Sequence, residues 1–234
     1  MTPIELRREI HRHPELSCEE HNTQRLIMEA LQAEGISCRT IAGTGVLAII
    51  EGERGNLRRG VVLRADIDAL PIAELNDIDF RSENDGVMHA CGHDMHAAVL
   101  FGVLQEFARN RDFEGTLFGI FQPGEELNPG GAIKVLEENP FEGYDVSAVI
   151  GEHTDSRLEV GEIGICPGRF MASNDELRSR RARCAQIRKA ERKASRTRRN
   201  HQEAAGNYRL PQQGARKVQG PKARRLREQH GSVR

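Results

Sequence analysis

Gly60-Val61-Val62-Leu63-Arg64-Ala65-Asp66-Ile67-Asp68 is an apolar run that ends in two carboxylates. Its aliphatic, partly β-branched start predicts a strand over 61–65. The same pattern recurs twice downstream. Residues 117–121 run into Gln122-Pro123-Gly124-Glu125-Glu126, and residues 147–150 run into Gly151-Glu152-His153. In an open α/β sheet, sites form just beyond the carboxyl ends of strands. If the three strands are parallel neighbours, Asp66, Asp68, Glu125, Glu126 and His153 converge on one edge. A fourth cluster, Met88-His89-Ala90-Cys91-Gly92-His93-Asp94-Met95-His96, opens a helical pattern over 93–108 carried by Ala97, Ala98, Leu100, Val103, Leu104 and Phe107. Gly92 permits a turn tight enough to point Cys91 and His93 the same way.

Outward from these runs, strands and helices alternate. Thr2-Pro3-Ile4-Glu5 has the form of a helix start: hydroxyl cap, Pro in the first turn, Glu three residues on. That helix runs to about His11 and breaks near Pro14. A second helix is expected over 19–33, with Gly35 as its stop. Strands are expected over 36–41, 45–50, 116–121, 146–150 and 162–166, and a helix over 132–138 entered through Gly130-Gly131. The alternation predicts an α/β fold, three layers αβα, with a mostly parallel mixed sheet covered on both faces.

Composition removes several function classes. The longest apolar run, 97–104, is far short of a membrane span. The N-terminus is charged from its fifth residue and has no apolar signal core. Five cysteines, an odd count without repeated spacing, argue against a disulfide framework and for a reducing, cytoplasmic setting. The absence of Trp leaves few platforms for stacking bases. The net charge of −1 hides an asymmetry: residues 1–177 hold 15 Lys+Arg and 32 Asp+Glu, and residues 178–234 hold 19 and 3. That second segment has too few apolar side chains to offset its ordering entropy by burial. It is expected to be a disordered basic tail, with at most transient helix around 183–199, and the functional unit is expected to be 1–177.

Five or more carboxylates, imidazoles and a thiol in one pocket repel and desolvate one another unless a cation holds them. Thiolate, imidazole and carboxylate together are the donor set of zinc or manganese, not of calcium or magnesium. The adjacent Glu125-Glu126 pair then divides its labour, one ligating while the other takes a proton from an activated water. The reaction class is hydrolysis of a carbonyl compound. Each piece alone also has a plainer reading. A Glu-Glu pair usually lies on a solvated face, and Asp66 and Asp68 suit a cap or turn. His153 suits a satisfied strand end. His89, His93 and His96 are spaced for a helix surface stripe, and His11 and His13 flank a Pro turn as structural groups.

Taken together, Arg7-Arg8…His11-Arg12-His13-Pro14-Glu15-Leu16-Ser17, Leu63-Arg64-Ala65-Asp66-Ile67-Asp68-Ala69-Leu70-Pro71, Met88–His96, Phe121–Glu126 and Gly151-Glu152-His153 stand in one order. The chain resembles the metal-dependent amidohydrolases that include hippurate hydrolases, N-acyl-amino-acid deacetylases and indole-acetyl-amino-acid hydrolases. The resemblance implies two divalent metal ions, Mn or Zn, and cleavage of small N-acyl amino acids. It implies Cys91, His93, Glu126 and His153 as metal ligands, with Cys91 bridging, and Glu125 as general base. Asp66 and Asp68 are implied as groups that orient the ligands.

The motif-by-motif likeness ends near Leu177. Members of the family continue into a lid and dimerisation domain with a Gly-Gly-His segment and then return to finish the sheet with a last metal-ligating His; neither stretch is recognisable here. The sheet is therefore expected to be incomplete, the activity impaired and the family-type homodimer absent. An Arg-rich composition that sets in at that point is what an out-of-frame reading of GC-rich coding DNA gives, so residues from about 179 onward are expected to be a frameshift product. The competing function class is nonspecific nucleic-acid binding through Arg178–Arg183 and Arg192–Arg199. A tail with a single aromatic and a strongly acidic body disfavour it.

Overall fold

The computed structural model describes residues 1–165, together with the backbone pairing of Val218–Gln219. Two compact units are present, Met1–Thr154 and Asp155–Arg234. In the first, the elements run α1 (Pro3–Arg12), α2 (His21–Ala33), β1 (Ser37–Ile41), β2 (Gly45–Glu51), β3 (Arg59–Asp66), α3 (His93–Arg109), β4 (Thr116–Gln122), α4 (Gly131–Glu137) and β5 (Asp145–Gly151). In the second, β6 (Glu162–Ile163) pairs antiparallel with β7 (Val218–Gln219). The strand expected over 162–166 is thus shorter: Gly164 and Ile165 lie outside it, and Cys166 lies outside the described residues. Apart from β7, the expectation of an unfolded tail over 178–234 also falls outside them.

The α/β expectation holds. The sheet order is β1-β2-β4-β3-β5. The pairs β3–β4 and β3–β5 are parallel, while β1–β2 and β2–β4 are antiparallel. Only β2 therefore opposes the common strand direction. Side chains alternate across the central strand. Leu117 and Phe121 face a core shared with Leu6, Ile10, Ile27, Leu31, Leu100, Phe101 and Leu104 of α1, α2 and α3. Phe118 and Ile120 face the opposite core with Val135 of α4. This period-two alternation covers both faces of the sheet with helices and makes three layers. All of β4 is buried, and a Cβ on Gly119 would lie 2.6 Å from Leu104 Cδ1, so α3 packs directly over the strand at that point.

Local signals position the helices. Thr2 accepts from the Glu5 N–H, and the Glu5 carboxylate accepts from the Thr2 N–H at 2.8 Å, a reciprocal cap behind Pro3. The strand β3 is followed by α3 on one face, and β4 by α4 on the other. The carboxyl ends of β3 and β4 thus flank the crevice where chain direction across the sheet reverses, the place where such sheets bind ligands. Among the described residues no helix is long and apolar enough to cross a membrane.

Candidate metal centre

Because β4, β3 and β5 are parallel neighbours, their polar exits open at one end of the sheet. Asp66 ends β3 and Asp68 follows it. Glu125 and Glu126 follow β4, and His153 follows β5. Gly92 adopts the left-handed conformation, φ 90°, and starts α3 at His93. Cys91, His93 and Glu126 place ligand atoms within 4.8 Å of one another. Cys91 Sγ also lies 3.4 Å from His153 Nε2. The residues singled out from sequence are therefore gathered around His93 and Cys91.

The hydrogen bonds fix which nitrogen each ring presents. A carbonyl oxygen only accepts, so His93 Nδ1, 2.8 Å from the Asp68 carbonyl, carries a proton, and Nε2 is the nitrogen turned to the pocket. His153 Nδ1 likewise donates to the Thr154 carbonyl at 2.8 Å and turns Nε2 toward Cys91. His93 Nε2 is buried and has no hydrogen-bond partner among the described residues. Around it stand Asp66 Oδ1 at 3.6 Å, Glu125 Oε2 at 3.8 Å and Glu126 Oε1 at 3.8 Å. Those separations exceed a hydrogen bond, yet they suit two donors each about 2.1 Å from a shared ion. A buried ring nitrogen without a partner, aimed into carboxylates and a thiol, is an arrangement that a divalent transition metal satisfies.

Electrostatics shows the same deficit of positive charge. Burial opposes the charge on His93, but the hydrogen bond to Asp68, the Cys91 contact and the charges of Asp66 and Asp68 win, pushing its pKa up to about 11, so without an ion a proton takes the place on Nε2 that a bound cation would fill. Burial also works against ionised Asp66, yet the bond from His96 and the charges of His93 and Arg64 bring it down to about 2. Asp68 is held low against its own burial by His93, Ser17 and the Glu126 N–H. Glu126 moves the other way, raised by burial and by neighbouring Glu125. Burial takes His89 down to about 4, so it adds no charge to the pocket near neutral pH.

Two buried carboxylates steady the loop that carries the glutamates. Asp68 Oδ2 accepts from the Glu126 N–H at 2.9 Å and from Ser17 Oγ at 2.6 Å. Glu20, fully buried, accepts from the Gly124 N–H at 2.8 Å and from Thr44 Oγ1. The sequence reading did not single out Glu20, Ser17 or Thr154. It also treated His96 only as part of a surface stripe, and that alternative fails. Helix α3 begins at His93, and His89, His93 and His96 are all buried. His96 contacts Asp66 at 2.6 Å, and its ring lies 4.6 Å from that of His153.

Comparison with known proteins shows the family. The model of Peptidase family M20/M25/M40 matches residues 62–227, a span that passes the Leu177 boundary where the motifs cease to be recognisable. An N-acyl-L-amino acid amidohydrolase of Geobacillus stearothermophilus is 45% identical over 176 residues, covering 74% of this chain and 46% of the relative. An N-acetyl-L-cysteine deacetylase of Bacillus subtilis is 42% identical over 177 residues, covering 75% and 41%. The crystal structure of the Bacillus subtilis YxeP protein, a dinuclear metal-binding peptidase from the M20 family, superposes with a TM-score of 0.67 at 43% identity, over 71% of this chain and 46% of that one. The chain thus spans less than half the length of each of these three proteins. With the family match covering most of its residues and the sheet end built as described, the chain belongs to Peptidase family M20/M25/M40.

Proposed function

We propose that this chain carries the metal centre of an amidohydrolase that releases amino acids from small N-acyl amino acids. The observation that carries the proposal is the orphaned His93 Nε2, buried among Asp66, Glu125, Glu126 and Cys91. In this reading Cys91, His93, Glu126 and His153 hold two divalent ions, Mn or Zn. The Cys91 thiolate would be available to both, since it faces His153 on one side and belongs with His93 and Glu126 on the other. The names of the relatives support the substrate class, and the dinuclear relative supports the count of ions. The free state of Cys18, Cys38 and Cys91 is compatible with a cytoplasmic setting. The change of composition after Leu177 underlies the proposed frameshift from about residue 179; translating the gene in its other two frames tests it.

A bound divalent ion lowers the pKa of water from 15.7 to about 7 and polarises a carbonyl. Glu125, the more exposed of the glutamate pair, is placed to take the proton of the attacking water and deliver it to the departing amine nitrogen. Water adds to the amide carbon, the C–N bond breaks, and a carboxylic acid and an amino acid result. Asp68 holds His93 Nδ1 through its carbonyl, with Oδ1 at 3.2 Å, and the Glu126 backbone through Oδ2, so one residue orients two ligands. No described residue is assigned to the substrate carbonyl.

The test is incubation with N-acetyl and N-benzoyl amino acids in added Mn or Zn. Chelator-sensitive release of amino acid is expected, and Glu125→Gln lowers kcat by about 10²–10⁴-fold while the metal content stays unchanged. A chain that binds neither ion, or that hydrolyses these amides equally well in chelator, contradicts the proposal.

A further inference from the structure

Three histidine rings meet at the centre, and proximity alone does not separate their tasks. Asp66, His93 and His96 form a second group whose ligand atoms lie within 4.8 Å of one another. The hydrogen bonds of His96 give it a different task. The Thr154 N–H donates to His96 Nε2 at 3.0 Å, so that nitrogen spends its lone pair and carries no proton. The ring proton of the neutral imidazole is then on Nδ1, which donates to Asp66 Oδ1 at 2.6 Å. Two donors each about 2.1 Å from one ion stand about 3 Å or more apart at tetrahedral or octahedral angles. A separation of 2.6 Å is instead a short hydrogen bond to a carboxylate. Both nitrogens of His96 are committed, whereas His93 and His153 each leave Nε2 for the pocket.

We infer that His96 is a positioning residue rather than a metal ligand: locked as the Nδ1–H tautomer, it ties Thr154 to Asp66 and so sets where His153 presents its Nε2. The second clause rests on the proposed role of His153; the tautomer does not. Asp66 is itself fixed, because its Oδ2 accepts from Arg64 Nη1 at 2.7 Å. Thr154 in turn accepts the His153 Nδ1–H on its carbonyl. Its side chain sits against Gly92, where a Cβ would meet Thr154 Oγ1 at 2.8 Å. The turn that aims Cys91, the helix that bears His93 and the strand end that bears His153 thus converge on Thr154 through His96. Outer contacts of this kind around ligating groups typically hold about 10–100-fold of metal affinity.

The test uses the full chain labelled with ¹⁵N, its histidine rings read by long-range ¹H–¹⁵N correlation at pH about 8, before and after loading with ¹¹³Cd. His96→Gln identifies the His96 signals. The metal-free chain is expected to show His96 with a protonated Nδ1 and a bare Nε2. With cadmium, the rings of His93 and His153 are expected to show ¹¹³Cd–¹⁵N coupling, while His96 shows none and keeps its tautomer. An Nε2–H tautomer in the metal-free chain, or cadmium coupling at His96, overturns the inference. Coupling at no histidine defeats the metal proposal instead, and the tautomer still decides the state of His96. His96→Gln retains an amide oxygen for the Thr154 N–H, so its cadmium Kd is expected within about tenfold of the parent, against a loss of about 10–100-fold in His96→Ala. A His96→Gln loss as large as that of His93→Ala makes His96 a ligand and overturns the assignment.

Discussion

Two buried polar clusters meet at the start of α3, fed by consecutive residues, and they are built to opposite specifications. Both ring nitrogens of His11 are answered. Nδ1 donates to Asp94 Oδ2 at 2.9 Å and Nε2 to Glu74 Oε1 at 3.0 Å. Asp94 also accepts from Arg7 Nε at 2.8 Å, and Glu74 from the Ser82 N–H at 2.6 Å. Around His93 one nitrogen is answered and the other points at acids that it cannot reach by hydrogen bond. A satisfied network in low dielectric stiffens a fold. An unpartnered nitrogen that faces several acids and a thiol suits a bound cation. The first cluster therefore pins the segment between β3 and α3 to α1, and the second is the proposed metal site.

That contrast can be broken in order of effect. His93→Ala is expected to remove measurable Zn or Mn binding by calorimetry while leaving a folded chain, because the acids it abandons face the pocket. His11→Ala is expected to do the reverse. It strands Glu74 and Asp94 without their shared cation, at a cost of about 3–5 kcal/mol in urea unfolding, with little change in metal affinity. Asp68→Asn is expected to weaken metal binding by about 10–100-fold, since it loosens the hold on His93 and on the Glu126 backbone together. Should His11→Ala and His93→Ala give the same profile, the two clusters are not distinct.

The smallest effect is in pH. The Asp94 hydrogen bond, against the pull of burial and with help from Glu74, raises the pKa of His11 in the folded chain. A group whose folded pKa is raised contributes stability that is complete below its unfolded value of about 6.5 and disappears as pH rises through the folded value. The stability gap between the parent and His11→Ala is therefore expected to be larger at pH about 6 than at pH about 9. A gap that widens with pH contradicts the charged state of His11.

Much of this architecture was legible because burial dictates local pattern. The apolar runs ending in Asp66, Gln122 and Gly151 are strands within two residues of the expected bounds, and the helical pattern over 93–108 is α3. The order of strands was not legible. Hydrophobic alternation assigns a side chain to a face, but it does not name the neighbour, and nothing in 45–50 announces that β2 lies antiparallel beside β4. The candidate site residues come together as expected because strand ends gather polar groups. His96 was missed because its spacing from His89 and His93 equally fits an exposed stripe, and only the packed helix start shows otherwise. Glu20 gave no signal, since the Gly124 N–H that it holds lies 104 positions away.

His93 Nε2 is proposed to hold an ion together with Cys91 and Glu126. Anomalous diffraction from zinc-soaked crystals, recorded on both sides of the zinc edge, tests it most directly. A peak is expected about 2.0–2.3 Å from Cys91 Sγ, His93 Nε2 and a Glu126 oxygen. A peak seated between Asp66 and His96, or no peak within reach of His93, would contradict it.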